Sequence, residues 1–529
     1  MKRLRSYRCG EWFEASSGFR PLLDPSTGEQ IAEASTEGID FEETIRFARD
    51  RGGVALRAMT FAERGKLLIA LSKALAEGRE ELLDLSVQNT GVTRRDAKFD
   101  IDGATGTLAY YGYLAKEIGD VHLLRDQEGA ALGRSSRFWG QHVWTPLEGA
   151  AVLINAFNFP AWGFAEKMAC AFLAGVPVIV KPATSSAWVT ERCAEILIDS
   201  KLLPSGSFSL LSGSTGDLLD HLGPQDVLAF TGSADTGLKL RSHPNLLAES
   251  VRVNVEADSL NAAVLGPDVE EGSDTYGLFF RDVFREVTQK TGQKCTAVRR
   301  IFVPESEVAS VADELKARFS DVVVGHPADA SVTMGPLATN DQLDDTLAGL
   351  AELSAEGLSL LFGSGERLDG VGAEPGQGYF LGPHLFAATS TETTTNSESR
   401  VHNRELFGPV VTILPYDGSA EAAAAGVALG RGSLVTSVYS DDETWLAELL
   451  PRAAAWNGRL YLGSAKMAEQ APGSGLALPQ SKHGGPGRAG GGQELGALRG
   501  LELYMQRVAI QGSRAMIDRL CGTNRNEST

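Results

Sequence analysis

The sequence has little of what membrane, secreted and nucleic-acid-binding proteins need. Its longest mostly apolar run, Met168 to Val180, covers 13 residues, contains Gly175 and Pro177, and stops at Lys181. That is too short to cross a bilayer. The basic opening Met1-Lys2-Arg3-Leu4-Arg5 leads into no apolar stretch, so no secretory signal is read there and a cytoplasmic location is expected. Only five cysteines occur in 529 residues (Cys9, Cys170, Cys193, Cys295, Cys521), an odd number without metal-like spacing. Neither a disulfide framework nor a zinc site is expected from them. Basic residues are in deficit, 49 against 68 acidic ones, for a net charge of −19. Phosphate backbones require the opposite sign, so nucleic acid is not expected as a partner.

The apolar content of 43% and charged content of 22% suit a globular protein, and the length calls for two or three structural regions. From about residue 150 apolar strands alternate with helical stretches, as in a parallel α/β sheet. Ala150–Ile154 reads as a strand broken at Asn155–Pro160, followed by a helix to Leu173 and a strand over 176–180. A helix over 186–200 and strands over 208–211 and 227–230 follow. These are successive βαβ units of the kind that build a dinucleotide-binding sheet. A second alternation spans roughly 261 to 464. The first 120 residues read as largely helical after a hairpin-like opening, and Asn524–Thr529 as a frayed end. The glycine-rich run His483–Gly492 has the composition of a linker but sits among charged and apolar residues.

Several residues carry chemistry. Cys295 follows a Gly292-Gln293 turn in polar surroundings, which suits an exposed nucleophile, and the adjacent Lys294 would favour its ionisation. Most free cysteines are inert core residues, so the thiol counts only with its context. Glu256 ends the apolar alternation 251–255 and is a candidate base for water, for which burial should raise its pKa. Asn158, in the break after a strand, can aim an amide N–H at a developing oxyanion. Gly232–Gly237 follows a strand and opens a helix, so its backbone N–H groups can approach a pyrophosphate. Lys181, at a strand end, can reach a ribose or its phosphate. A cysteine hydrolase would need a histidine base, and none of the eight histidines stands in a recognisable pairing motif.

Taken together, Asn158-Phe159-Pro160, Lys181-Pro182-Ala183, Phe230–Ser233 with Gly237, Gly292–Cys295, Gly378-Tyr379-Phe380 and Glu405–Val410 resemble the aldehyde dehydrogenase superfamily, in its order and almost end to end. The resemblance implies an α/β fold with a Rossmann-like cofactor domain (1–119 and 150–260) and an α/β catalytic domain (261–470). It also implies a small β oligomerisation arm (120–149 and 490–515), and so a homodimer or homotetramer. It implies Cys295 as nucleophile, Glu256 as general base and Asn158 with the Cys295 N–H as oxyanion site. Lys181, Gly213, Gly232, Ser233 and Gly237 would hold the adenosine and pyrophosphate half of the cofactor, and Glu405 and Phe407 the nicotinamide half.

Three positions depart from the common pattern. Thr184 stands where many members have a ribose-binding glutamate; without that carboxylate, and with Lys181 nearby, NADP is favoured over NAD. Asp258-Ser259 replaces a Gly-Gly pair, and Phe157 replaces a tryptophan at the cofactor site. The run His483–Gly492 with Tyr504–Arg507 is similar to a branch acting on semialdehydes carried on coenzyme A in aromatic catabolism. The expected reaction is oxidation of such an aldehyde to the acid. A different semialdehyde is the alternative, as is an acylating enzyme in which free coenzyme A resolves the thioester, though Glu256 argues for water. No metal is expected.

Overall fold

Two seven-stranded sheets organise the chain. In the computed structural model, which describes residues 1–521, the first has at its centre five parallel strands, in spatial order Arg252–Ala257, Val227–Gly232, Ala151–Ile154, Val178–Lys181 and Phe208–Leu210. These strands are short, apolar and buried nearly throughout, as a sheet covered by helices on both faces requires. The expected crossover helices are present as Trp162–Ala174, closed by Gly175 in the left-handed conformation, and Ala187–Asp199.

The sheet is completed by the N-terminus. Ser6–Arg8 pairs antiparallel with Phe208–Leu210, and Glu11–Phe13 pairs outside it. The expectation of a hairpin-like opening followed by a largely helical stretch within the first 120 residues is borne out. Five strands fall within residues 2–34, and helices dominate only from Phe41 to Ile118. The strands are three to five residues long, too brief for a period-2 signal to stand out.

The second sheet runs Ser359–Phe362, His384–Ala387, Val410–Tyr416, Arg300–Pro304, Ala262–Leu265, Ser433–Tyr439 and Asn457–Gly463, parallel except for its first pair. A separate antiparallel sheet joins Leu124–Ala131, Phe138–Pro146 and Met505–Ser513. Residues 490–504 lie outside that sheet. Glu494–Leu495 pairs with Lys482–His483, and Ala497–Tyr504 forms a 3-10 stretch. The run His483–Gly492 is no linker. A side chain at Gly490 or Gly492 would strike the Val255 carbonyl, so the run packs directly on the edge of the first sheet. The expected frayed end, Asn524–Thr529, lies outside the described residues. Among those residues no helix is long and apolar enough to cross a membrane.

Candidate active site

Cys295 sits in a loop that few sequences could adopt. After the helix Asp274–Thr288, Lys290, Thr291 and Gly292 all take positive φ (52°, 56° and 67°), and Gly292 packs so closely on the Gly408 carbonyl that a Cβ would collide with it. Left-handed backbone costs about 1 kcal/mol or more at each non-glycine position, so the surroundings must hold it. They do so with hydrogen bonds. Lys290 N donates to Asp96 (3.0 Å), Thr291 Oγ1 to Gly335 O (2.9 Å), Ala338 N to Gln293 Oε1 (3.0 Å), and Asn261 Nδ2 to Cys295 O (2.8 Å).

The loop is buried rather than exposed, and only Cys295 itself keeps partial access. Lys294 does not activate it. Its ammonium is committed to Glu286 (2.8 Å) and Gln289 (3.0 Å). Burial, with the Glu256 charge beside it, pushes the Cys295 thiol up to about 11, against a smaller opposing pull from His483.

Glu256 arrives on the strand Arg252–Ala257, opposite Thr231 of the neighbouring strand. Period-2 alternation turns Asn254 and Glu256 to one face, where the antiparallel pair Lys482–His483 and Glu494–Leu495 meets them. There His483 Nε2 lies 3.1 Å from Glu256 Oε2, and Asn254 Nδ2 donates to Glu494 Oε1 (3.0 Å). The expected rise in the Glu256 pKa is corrected. Burial does push it up, but the adjacent His483 charge, helped by Lys167, outweighs this and holds the carboxyl well below its usual range. His483 in turn is kept protonated: burial opposes its charge, and Glu256 overrides that.

Sequence reasoning missed His483 and a charged cluster behind Glu256. Lys167, almost fully buried, is paired with Glu494 (3.1 Å) and Glu166 (3.2 Å). Burial raises Glu494 to about 7, offset in part by Lys167. A signal for the cluster was present: Glu166-Lys167 are adjacent charges within an otherwise apolar helix, and buried charges need partners.

Cys295, Glu256 and Asn158 stand where two cavities meet. One is a cleft of about 1630 Å³ whose wall includes Phe157, Lys181, Gly232, Ser233, Glu405 and Phe407. The other, about 520 Å³, is mostly apolar, with Phe99, Phe159, Trp162, Ala477 and His483 among its lining residues. Asn158 Nδ2 donates to Gln293 O (3.0 Å), which fixes its amide over the thiol loop. The Phe157 and Phe407 rings meet edge to face at 5.9 Å.

Thr184, Gly213 and Gly237 do not line the cleft. Thr184 opens the 3-10 turn Thr184–Ser186 just beyond Lys181. Gly213 backs onto the Thr36 amide and Gly237 onto Val255, so both are small because neighbours approach closely. At the Asp258-Ser259 departure the chain compensates. Asp258, at φ 43°, is held by Arg488 (2.8 Å), and Ser259 N donates to Glu405 (3.1 Å).

The cleft suits a dinucleotide. Ser233 caps the helix Ala234–Arg241, whose first turn faces the cleft beside Lys181, Arg404 and Arg488. On its wall Asn155 Oδ1 and Thr231 Oγ1 are buried without a protein partner, as groups awaiting a polar ligand would be.

Residues 12–510 match the model of the aldehyde dehydrogenase family. The chain is 41% identical over 484 residues to 3,4-dehydroadipyl-CoA semialdehyde dehydrogenase of Aromatoleum evansii, covering 92% of this chain and 93% of that one. It is 28% identical over 481 residues to alpha-ketoglutaric semialdehyde dehydrogenase of Bacillus subtilis (89% and 92%). Among solved structures, 3,6-anhydro-L-galactose dehydrogenase in complex with NAP superposes with a TM-score of 0.83 at 20% identity (97% and 100%). Betaine aldehyde dehydrogenase of Staphylococcus aureus with NAD+ superposes at 0.81 and 24% (96% and 95%).

Proposed function

This chain belongs to the aldehyde dehydrogenase family, and we propose that it oxidises 3,4-dehydroadipyl-CoA semialdehyde, or a closely similar coenzyme A-linked aliphatic semialdehyde, to the free acid with NADP. The observation that carries the reaction is the position of Cys295, where the larger cleft meets the smaller apolar cavity, with Glu256 and Asn158 lining both. The substrate class rests on the 41% identity to the Aromatoleum enzyme and on an apolar cavity lined by Phe99, Phe159 and Trp162, which suits an aliphatic chain. The NADP preference rests on Lys181 in the cleft wall; Thr184, in the turn just beyond it, lacks the carboxylate with which many family members bind the ribose. In this reading the enzyme works in the cytoplasm in aerobic benzoyl-CoA breakdown, as a homodimer or homotetramer.

In the reaction, the Cys295 sulfur attacks the aldehyde carbon and the carbonyl π pair moves to oxygen. The second amide N–H of Asn158 and the Cys295 backbone N–H receive that oxygen, a contribution of a few kcal/mol in such sites. NADP, bound in the cleft, supplies the acceptor for the hydride that leaves carbon. The acyl group is then a thioester on Sγ. Glu256 takes a proton from water, hydroxide adds to the thioester carbon, and the acid leaves as the C–S bond breaks. Water resolves the thioester rather than free coenzyme A because Glu256 lines both cavities next to the sulfur.

The test is turnover with free and coenzyme A-linked semialdehydes and each cofactor, with the acyl adduct mapped on enzyme quenched during turnover. The expected result is the highest kcat/KM for the coenzyme A-linked semialdehyde with NADP, free acid as product and the adduct on Cys295. Preference for short free aldehydes would remove the substrate assignment alone. An adduct on another residue, or turnover by Cys295→Ala, would remove the mechanism.

A further inference from the structure

We propose that His483 is a further catalytic residue: an imidazolium held between the Cys295 thiol and the Glu256 carboxylate that stabilises whichever of the two carries the negative charge. The proposal rests on the nucleophile and base assignments above and adds a third group to them.

The geometry singles out one atom. His483 Nε2 lies 3.1 Å from Glu256 Oε2 and 3.7 Å from Cys295 Sγ, and the three ligating atoms all fall within 4.8 Å of one another. A histidine acting as base for the thiol would turn a lone pair on Nε2 toward sulfur. The same lone pair would then face the carboxylate, an arrangement of two acceptors without a proton between them. Nε2 must therefore carry hydrogen, so His483 brings its N–H to the sulfur and is a counter-ion to the carboxylate beside it.

The surroundings agree. The groups around the triad are Glu256 from its strand, Cys295 from its loop, Lys167 and Glu166 from the helix Trp162–Ala174, and Glu494 from the paired segment. Arg299 and Arg459 are close enough for the Cys295 charge to act on them, but Arg299 is bound to Glu405 and to the Gly408 carbonyl, and Arg459 to the carbonyls of Ser474 and Leu476. Lys167 is spent on two carboxylates. His483 is thus the cation that touches the sulfur.

The steps balance as follows. The S–H bond of Cys295 breaks, its electron pair stays on sulfur, and its proton passes to Glu256. The imidazolium, keeping both N–H bonds, changes partner from the neutralised carboxyl to the thiolate. Once the thioester has formed, Glu256 loses that proton to solvent and the imidazolium returns to the carboxylate, which can then accept a proton from water. When the C–S bond breaks, the departing thiolate again faces the same cation. One positive charge thereby serves acylation and deacylation in turn.

The test is the rate of Cys295 carbamidomethylation by iodoacetamide at pH 7, followed by peptide mass spectrometry in the wild type, Glu256→Gln, His483→Gln and the double variant. With the competing carboxylate gone, Glu256→Gln is expected to alkylate about tenfold faster than the wild type, equivalent to about one pKa unit. Adding His483→Gln should cancel that gain. Equal rates in Glu256→Gln and the double variant would overturn the proposal while leaving the nucleophile assignment intact. Faster alkylation that survives without His483 would show that the carboxylate alone governs the thiol. Retained NADP binding in each variant reports folding, and His483→Asn provides a second replacement if His483→Gln loses it.

Discussion

In the proposed reading, Lys181 is the residue at which cofactor choice meets pH. Burial, and secondarily the Arg20 charge, lowers its pKa to about 8, so the ammonium that would meet a 2′-phosphate is charged below that value and lost above it. A bound phosphate favours the charged form and moves the transition upward. KM for NADP is therefore expected to climb once the pH passes about 8, while KM for NAD stays level. Lys181→Arg, whose guanidinium stays protonated, should flatten the NADP profile; parallel profiles for the two cofactors would show that Lys181 does not face the 2′-position. Lys181 was legible in the sequence because it stands at the end of a buried apolar strand. His483 was not: it opens a glycine-rich run 188 residues from Cys295, and only the folding of that run onto Val255 brings the two together. The low pKa of Glu256 was hidden for the same reason, since burial alone predicts the opposite direction.

At the scale of elements, the thiol loop shows how backbone form serves chemistry. Gly292 is left-handed and pressed against Gly408 O, so Gly292→Ala forces the loop or the Glu405–Pro409 segment to move. The expected cost is about 1–3 kcal/mol of stability, read as a lower Tm, together with loss of turnover greater than that stability change explains. A variant of unchanged Tm and activity would mean the loop does not depend on that conformation. The parallel strands around it were readable because doubly covered strands are continuous apolar runs, as at Ala151–Ile154 and Val178–Lys181. The strands Ser6–Arg8 and Glu11–Phe13 read only as a hairpin-like opening, being three residues each, and their place in the first sheet is set by Ser6–Arg8 pairing with Phe208–Leu210. The glycines divided in a way sequence does not announce. Gly232 borders the cleft, whereas Gly213 and Gly237 are small for packing reasons.

At the scale of the whole molecule, the antiparallel sheet bears on assembly. Met505–Ser513 forms one of its two edges, nine residues long, with Val508 40% exposed. An open edge of that length invites pairing with a second copy, which natural sequences discourage with charge. For the proposed homodimer or homotetramer, Val508→Lys is accordingly expected to lower the native mass, measured by light scattering, toward that of one chain. A wild-type monomer would refute the assembly itself.

The N-terminal strand has a bearing on how the polypeptide matures. Ser6–Arg8 is synthesised well before Phe208–Leu210, yet its place in the sheet exists only once that strand has been made. Through the synthesis of some two hundred residues the leading segment must wait without its partner, at an aggregation-prone stage for a growing chain. A bulky fusion ahead of Met1 would thus be felt at the rim of the nucleotide sheet, far from where the primary structure would suggest.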